Sequence, residues 1–227
     1  MTWRRWWRLG TGRYSLLREI EYDRLKGLRL SGRTLDIGGG ARNSYYHLFQ
    51  TDGAIESVNI SPEMKSTLLA DLNDPLPLES GIYDTIISLN TFEHIYNDTG
   101  AIAEALRVLK PGGSFHIVVP FLYRVHGSPY DYHRHTAAFW EDFLCAREIK
   151  AQSFRVEPLM WDPLSSAFSL VEFTYGLSRV RRVLRPFIML PALLLYGRHV
   201  NGKHMDDRVG GKFSDYALGY YIHGTKT

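Results

Sequence analysis

The apolar positions of the chain change their period along its length, and each change marks an element. From Arg13 to Gly27 they fall at Tyr14, Leu16, Leu17, Ile20 and Leu25, close to helical spacing, with Gly27 placed to end the helix. The run Arg33-Thr34-Leu35-Asp36-Ile37 predicts a first strand leading straight into Gly38-Gly39-Gly40. Ser57 to Ile60 predicts a second strand, stopped by Ser61-Pro62, and Thr67 to Ala70 a third. Tyr83 to Leu89, YDTIISL, has the β-branched centre of a strand covered on both faces. Thr99 to Leu109 predicts a helix: Asn97, Asp98 and Thr99 offer capping side chains, Ile102, Leu106 and Leu109 share a stripe, and Pro111-Gly112-Gly113 stands where it should end. Ser114 to Val119 predicts a fifth strand stopped by Pro120, Thr136 to Lys150 a helix, Phe154 to Val156 a weak sixth strand, and Tyr216 to Ile222 a closing one. Strands alternating with helices imply a parallel sheet with helices on both faces.

Composition narrows the class. With 44% hydrophobic and 22% charged residues, the 227-residue chain is neither disordered nor a disulfide scaffold. Its single cysteine, Cys145, rules out an internal disulfide and suits a reducing compartment. A net charge of +3 is too mild to argue for a nucleic-acid partner.

The placement of the charge says more. Between Met1 and Leu30, Arg4, Arg5, Arg8, Arg13, Arg18, Arg24, Lys26 and Arg29 face only Glu19, Glu21 and Asp23. Trp3-Arg4-Arg5-Trp6-Trp7-Arg8 interleaves indoles with guanidinium groups, and the apolar run of a secretory signal does not follow. A second cluster, Arg179, Arg181, Arg182, Arg185, Arg198 and Lys203, brackets the apolar run Phe187 to Tyr196. That run is about half the ~20 residues of a membrane span. The expected organisation is a basic, aromatic helical segment over 1–31, a ligand-binding core over 32–160, a helical apolar and basic insertion over 161–212, and a closing strand within 213–227.

Candidate chemistry begins at Leu35-Asp36-Ile37-Gly38-Gly39-Gly40. A glycine-rich turn after a first strand lets a ligand approach the backbone and points the next helix's N–H groups at it. The dinucleotide fingerprint also wants glycine at its sixth position, where Asn43 stands. No Tyr-x-x-x-Lys pair lies in the catalytic region either, which disfavours a short oxidoreductase. Phe92-Glu93-His94 follows the fourth strand at the sheet edge where such folds bind ligands. The segment Phe121 to Thr136, FLYRVHGSPYDYHRHT, packs His126, Asp131, Tyr132, His133, Arg134 and His135 into ten residues, a density of titratable groups that marks a site. His133 and His135 share no helix face, so no metal site is expected.

Taken together, LDIGGG (Leu35 to Gly40), VNISPEM (Val58 to Met64), ADLNDPLP (Ala70 to Pro77), YDTIISLNTFEHI (Tyr83 to Ile95) and EALRVLKPGGSFHIVVP (Glu104 to Pro120) resemble the class I S-adenosylmethionine-dependent methyltransferases of type 11. Pro120 to Thr136 resembles a loop of methyltransferases from polysaccharide and glycolipid gene clusters. The resemblance implies a Rossmann-like α/β three-layer sandwich whose seven-stranded sheet is mostly parallel with its last strand antiparallel. It implies S-adenosylmethionine as cofactor, with Asp36, Gly38, Gly39 and Gly40 at its methionine moiety and ribose. Asn59, beside Ile60, stands where the family carries an acidic residue for the ribose hydroxyls. Asp71 would take the adenine amino group, Leu72 would offer a backbone N–H, and Asn90 would lie beside the sulfonium.

The acceptor implied is a saccharide or lipid-linked glycan, methylated on oxygen. A hydroxyl needs a base, for which His94, His126 and His133 are candidates. A carboxylate acceptor would instead use a cationic clamp, Arg134 or Arg124. Arg124, Asp131 and Tyr132 are the expected acceptor contacts. The insertion and the Trp-Arg amino terminus suggest peripheral contact with the inner face of a membrane by a cytoplasmic protein. The competing readings are an apolar run packed over the active site or in a dimer face, a protein that binds S-adenosylmethionine without catalysis, and a methyltransferase of a small carboxylate.

Overall fold

The computed structural model describes residues 3–43, 45–127, 130–146, 151–173, 180–196 and 214–227, which fall into two compact units. The larger comprises Leu25–Pro120, Val125–Glu157 and Tyr220–Thr227; the smaller comprises Met1–Arg24, Phe121–Arg124 and Pro158–Gly219.

A seven-stranded sheet organises the larger unit. Its strands are β1 (Thr34–Ile37), β2 (Ile55–Asn59), β3 (Leu68–Leu69), β4 (Tyr83–Leu89), β5 (Leu109–Pro120), β6 (Ala151–Leu159) and β7 (Gly219–Lys226). They lie in the order β3-β2-β1-β4-β5-β7-β6. Strands β3 to β5 pair in parallel, and β7 runs antiparallel to β5, the arrangement expected from the sequence. The centre is buried throughout β1, and the apolar Ile86, Ile87, Phe115 and Ile117 of β4 and β5 are at most 1% exposed. Each such side chain contributes about 1.5–3 kcal/mol of burial free energy. Buried hydroxyls on β4 are paired: Ser88 Oγ donates to the Ile37 carbonyl at 3.1 Å and Thr85 Oγ1 to that of Ser31 at 2.9 Å.

Two expected boundaries move. The segment Pro111-Gly112-Gly113 does not lie outside the sheet; β5 already starts at Leu109, directly after α3 (Asp98–Val108). The register jumps from Tyr83↔Leu109 to Thr85↔Ser114, so Lys110 to Gly113 form a bulge, with Gly112 at φ +74. The sixth strand is nine residues long rather than three, because it pairs with β7, which an expectation drawn from the apolar triplet alone could not include.

The helix expected after the glycine turn is also absent. Among the described residues, only 3₁₀ turns at Tyr46–Leu48 and Pro62–Met64 occupy the first two crossovers. Tyr45 and Tyr46 turn their hydroxyls back to Asp36 there, and a two-residue parallel ladder (Arg29–Leu30 with Gln50–Thr51) uses the chain that a helix would need. Beyond β4, α3 is capped by Asn97, and α4 (Ala137–Cys145) by the Thr136 hydroxyl, which accepts from Phe139 N–H at 3.3 Å.

In the smaller unit, α1 (Trp3–Thr11) packs on α6 (Arg181–Tyr196), with Trp6 Nε1 donating to the Pro186 carbonyl at 3.1 Å. A side chain at Gly10 would strike Pro186. Asp162 caps α5 (Pro163–Val171). The charged centre is Arg185 with Glu172, both side chains fully buried and 2.5 Å apart. Arg185 also donates to the carbonyls of Leu9 and Tyr14, and Glu172 accepts from Leu16 N–H. This corrects the expected basic surface. Arg185 is a core ion pair, and Arg181 is buried, donating to the Arg13 carbonyl and lying over Phe173, because the turn between α1 and α2 (Leu16–Leu25) exposes carbonyls that need donors. Arg179, Arg198 and Lys203 lie outside the described residues. No helix among the described residues is long and apolar enough to cross a membrane.

Candidate active site

The carboxyl ends of β1, β2 and β4 converge on the glycine turn, and a web of short contacts holds it. Gly38, at φ +81, donates its N–H to the Val58 carbonyl at 2.8 Å and leaves no room for a β-carbon beside Thr91. A β-carbon at Gly39 would collide with the Asp36 carboxyl, and one at Gly40 with the Met64 carbonyl. Close packing against Thr91, Asp36 and Met64 is thus what requires glycine at all three positions.

Asp36 sits beneath the turn and is fully buried. Its Oδ2 accepts from Tyr45 Oη at 2.7 Å and Tyr46 Oη at 2.8 Å, while its Oδ1 is buried with no hydrogen-bond partner. Burial pushes this carboxyl up to about 7, against the opposing pull of the two phenols and Asn43. Burial first, and then the neighbouring Asp36, drive the Tyr46 phenol upward as well. An orphaned carboxyl oxygen at the carboxyl end of β1, beside the glycine turn, fits the polar, cationic methionine end of S-adenosylmethionine.

Asn59 closes the other side. Its Nδ2 donates to the Gly38 carbonyl at 2.7 Å and the Gly39 carbonyl at 3.3 Å, and its Oδ1 accepts from Ser61 N–H at 2.9 Å. A carboxylate could not make the first two bonds, which gives a physical reason for an amide here. Ile60 is 60% exposed at the same rim. Asp71 accepts from both the backbone and the side chain of Asn73 at 2.9 Å, a turn-forming role, and Leu72 is buried beside it. Asn90 follows β4 at φ +52, a left-handed conformation unusual outside glycine, and donates its N–H to the Val118 carbonyl at 2.9 Å.

The second half of the site is the loop after β5. It docks on the 3₁₀ turn Phe92–His94: Tyr132 N–H donates to the Glu93 carbonyl at 2.7 Å, and His94 Nδ1 lies 2.5 Å from the Tyr130 carbonyl. The Asp131 carboxyl, 2% exposed, takes Arg134 in a fork at 2.5 and 2.6 Å and the His126 backbone N–H at 2.8 Å. Burial pulls Asp131 upward, but these donors outweigh it and hold the group below the ordinary carboxylate range. His133 Nε2 donates to the Tyr96 carbonyl at 2.9 Å. His135 Nε2 bonds the buried Asp98 at 2.6 Å while its ring stacks on Phe139. Tyr132 is exposed, edge-on to Tyr96. Arg124 belongs to the smaller unit, its guanidinium over the Phe173 ring.

Sequence reasoning passed over Tyr45, Tyr46, Thr91, Glu93 and Asp98. The adjacent tyrosines were a signal, two large polar-tipped rings within ten residues of a strand-end aspartate. Asp98, a capping candidate in the sequence, accepts from Thr99 N–H, and its other oxygen serves His135.

Residues 35–117 match the family described as a methyltransferase domain. The chain is 27% identical over 101 residues to the demethylmenaquinone methyltransferase of Tropheryma whipplei (strain Twist), a match covering 40% of this chain and 42% of that protein. It therefore spans about two fifths of that relative's length. Among solved structures it is similar to a chain of the Haloferax volcanii complex between the Trm112 methyltransferase activator and a methyltransferase, with a TM-score of 0.54 at 18% identity over 91% of this chain and 87% of that one. It is similar too to Haemonchus contortus phosphoethanolamine N-methyltransferase 2 in complex with S-adenosyl-L-methionine, with a TM-score of 0.50 at 15% identity over 90% of this chain and 50% of that one. At such identities the two structures establish the fold.

Proposed function

We propose, on the premise that residues 35–117 are an S-adenosylmethionine-dependent methyltransferase domain, that the chain moves the donor's methyl group to a hydroxyl oxygen of a saccharide, free or lipid-linked. The donor supplies a methyl carbon activated by its sulfonium, and in-line displacement then depends chiefly on positioning. Asp36, Gly38, Gly39, Gly40, Asn59, Ile60, Asp71, Leu72 and Asn90 are the residues that would hold it. Tyr132 would meet the acceptor, while Asp131, its carboxyl buried in its fork with Arg134, would hold the loop that carries it.

The observation that favours a hydroxyl over a carboxylate is the state of the cations. Arg134 is spent in its fork on Asp131, and Arg124 is stacked on an aromatic ring, so neither stands ready as a carboxylate clamp. Imidazoles abound instead. His133, with Nε2 committed to a carbonyl, keeps Nδ1 as its lone-pair nitrogen and can take a proton.

Calorimetry with S-adenosylmethionine and with NAD tests the premise: heat is expected from the first and none from the second. A methyl-transfer assay on cell-envelope extracts with His94→Ala, His126→Ala and His133→Ala tests the acceptor chemistry. At least one variant is expected to lose about 10²–10⁴-fold in turnover. Full turnover in all three would replace the hydroxyl by a carboxylate.

A further inference from the structure

Three titratable side chains meet at the turn between β4 and α3, and the hydrogen bonds around them decide what they can do. Glu93 is 2% exposed, and its Oε1 lies 3.5 Å from His94 Nε2 and 3.9 Å from His126 Nε2. One ligand atom from each of the three lies within 4.8 Å of the others. Both imidazoles are held from behind. His94 Nδ1 faces the Tyr130 carbonyl at 2.5 Å, and a nitrogen facing a carbonyl must carry the proton. His126 Nδ1 lies 3.2 Å from Asp131 Oδ2, and that carboxylate is anchored by Arg134. Both rings thus turn Nε2 toward Glu93, and in the tautomer protonated at Nδ1 each Nε2 carries the lone pair that a metal takes.

We propose that Glu93, His94 and His126 form a binding site for a divalent transition metal, of which Zn²⁺ is the natural probe. Bonds of about 2.1 Å at tetrahedral angles place donor atoms about 3.4 Å apart, close to the two separations found here. Two imidazoles and a carboxylate suit zinc and its neighbours rather than Mg²⁺ or Ca²⁺. The carbonyl behind one histidine and the carboxylate behind the other are the supports that metal-bound histidines use. Three protein ligands leave a coordination position open, and an acceptor oxygen is the group that could fill it at this edge of the sheet.

The neighbouring trio of Asp98, His133 and His135 shows the contrast. There His133 Nε2 is protonated toward the Tyr96 carbonyl and His135 Nε2 is hydrogen-bonded to Asp98 at 2.6 Å, so that group is a closed network.

The metal proposal needs neither donor nor acceptor, so it and the methyl-transfer reading can fail separately. The purified chain, stripped with a chelator, is titrated with Zn²⁺ alone by calorimetry and with Co²⁺ alone by visible absorption. One equivalent is expected, with the ligand-field bands of nitrogen-ligated, low-coordinate Co²⁺. His126→Ala loses that equivalent, Asp131→Asn binds about 10–100-fold more weakly, and His135→Ala binds as the parent does. No saturable uptake by the parent overturns the site, whatever the variants do. Uptake lost in His135→Ala but kept in His126→Ala overturns it as well.

Discussion

Asp36 is costly where it sits, and that cost has a sign. Its carboxyl titrates at about 7 in the folded chain against 3.8 ordinarily, because burial disfavours the charge. Between those values the folded state holds a proton that the unfolded state has released, so stability falls as pH rises through the window. Asp36→Asn removes the titration. Its stability advantage over the parent is expected to be small at pH 4, to grow through pH 7 and then to level at a few kcal/mol, read from denaturation midpoints. The gain in stability would come with weaker binding of S-adenosylmethionine. Asn59 makes the opposite case: Asn59→Asp would set a carboxylate against the carbonyls of Gly38 and Gly39. A loss of about 1–3 kcal/mol in the same denaturation experiment is expected.

At the scale of elements, the smaller unit depends on Glu172 and Arg185. The pair joins the end of α5 to α6, and through Leu9, Tyr14 and Leu16 to the α1–α2 turn. Removing one partner strands a buried charge, so Arg185→Ala and Glu172→Gln should each cost about 3–5 kcal/mol in chemical denaturation. Nothing in the sequence marked Arg185 as different from Arg182, because its partner lies thirteen residues earlier and its carbonyl acceptors more than 170 earlier. The central strands were legible for the converse reason. YDTIISL and SFHIVV carry their burial in their own residues, as does the capped helix between them. The length of β6 and the bulge at Lys110 to Gly113 depend on a partner strand, and local pattern does not hold that information. The glycine turn was equally plain, whereas its tyrosine supports were hidden by the expectation of a helix after it.

For the whole molecule, the proposal of a lipid-linked acceptor bears on the exposed surface of the smaller unit. Trp3 and Trp7 on α1 are 59% and 58% exposed beside Arg4 and Arg8, and Phe187 and Leu194 are exposed on α6. Indoles and guanidinium groups presented together favour a headgroup layer. The chain should co-sediment with anionic vesicles at low salt, and Trp3→Glu with Trp7→Glu should abolish most of that pelleting; absence of pelleting by the parent would remove the membrane from the picture. The strand order carries a consequence of another kind. Because β7 sits between β5 and β6, the nascent chain emerging from a ribosome has no seat for β6 until residues 219–226 have been made. From Pro120 to Gly219, about a hundred residues of synthesis, β5 offers a raw edge, so the cell must shield that edge or synthesise the remainder quickly.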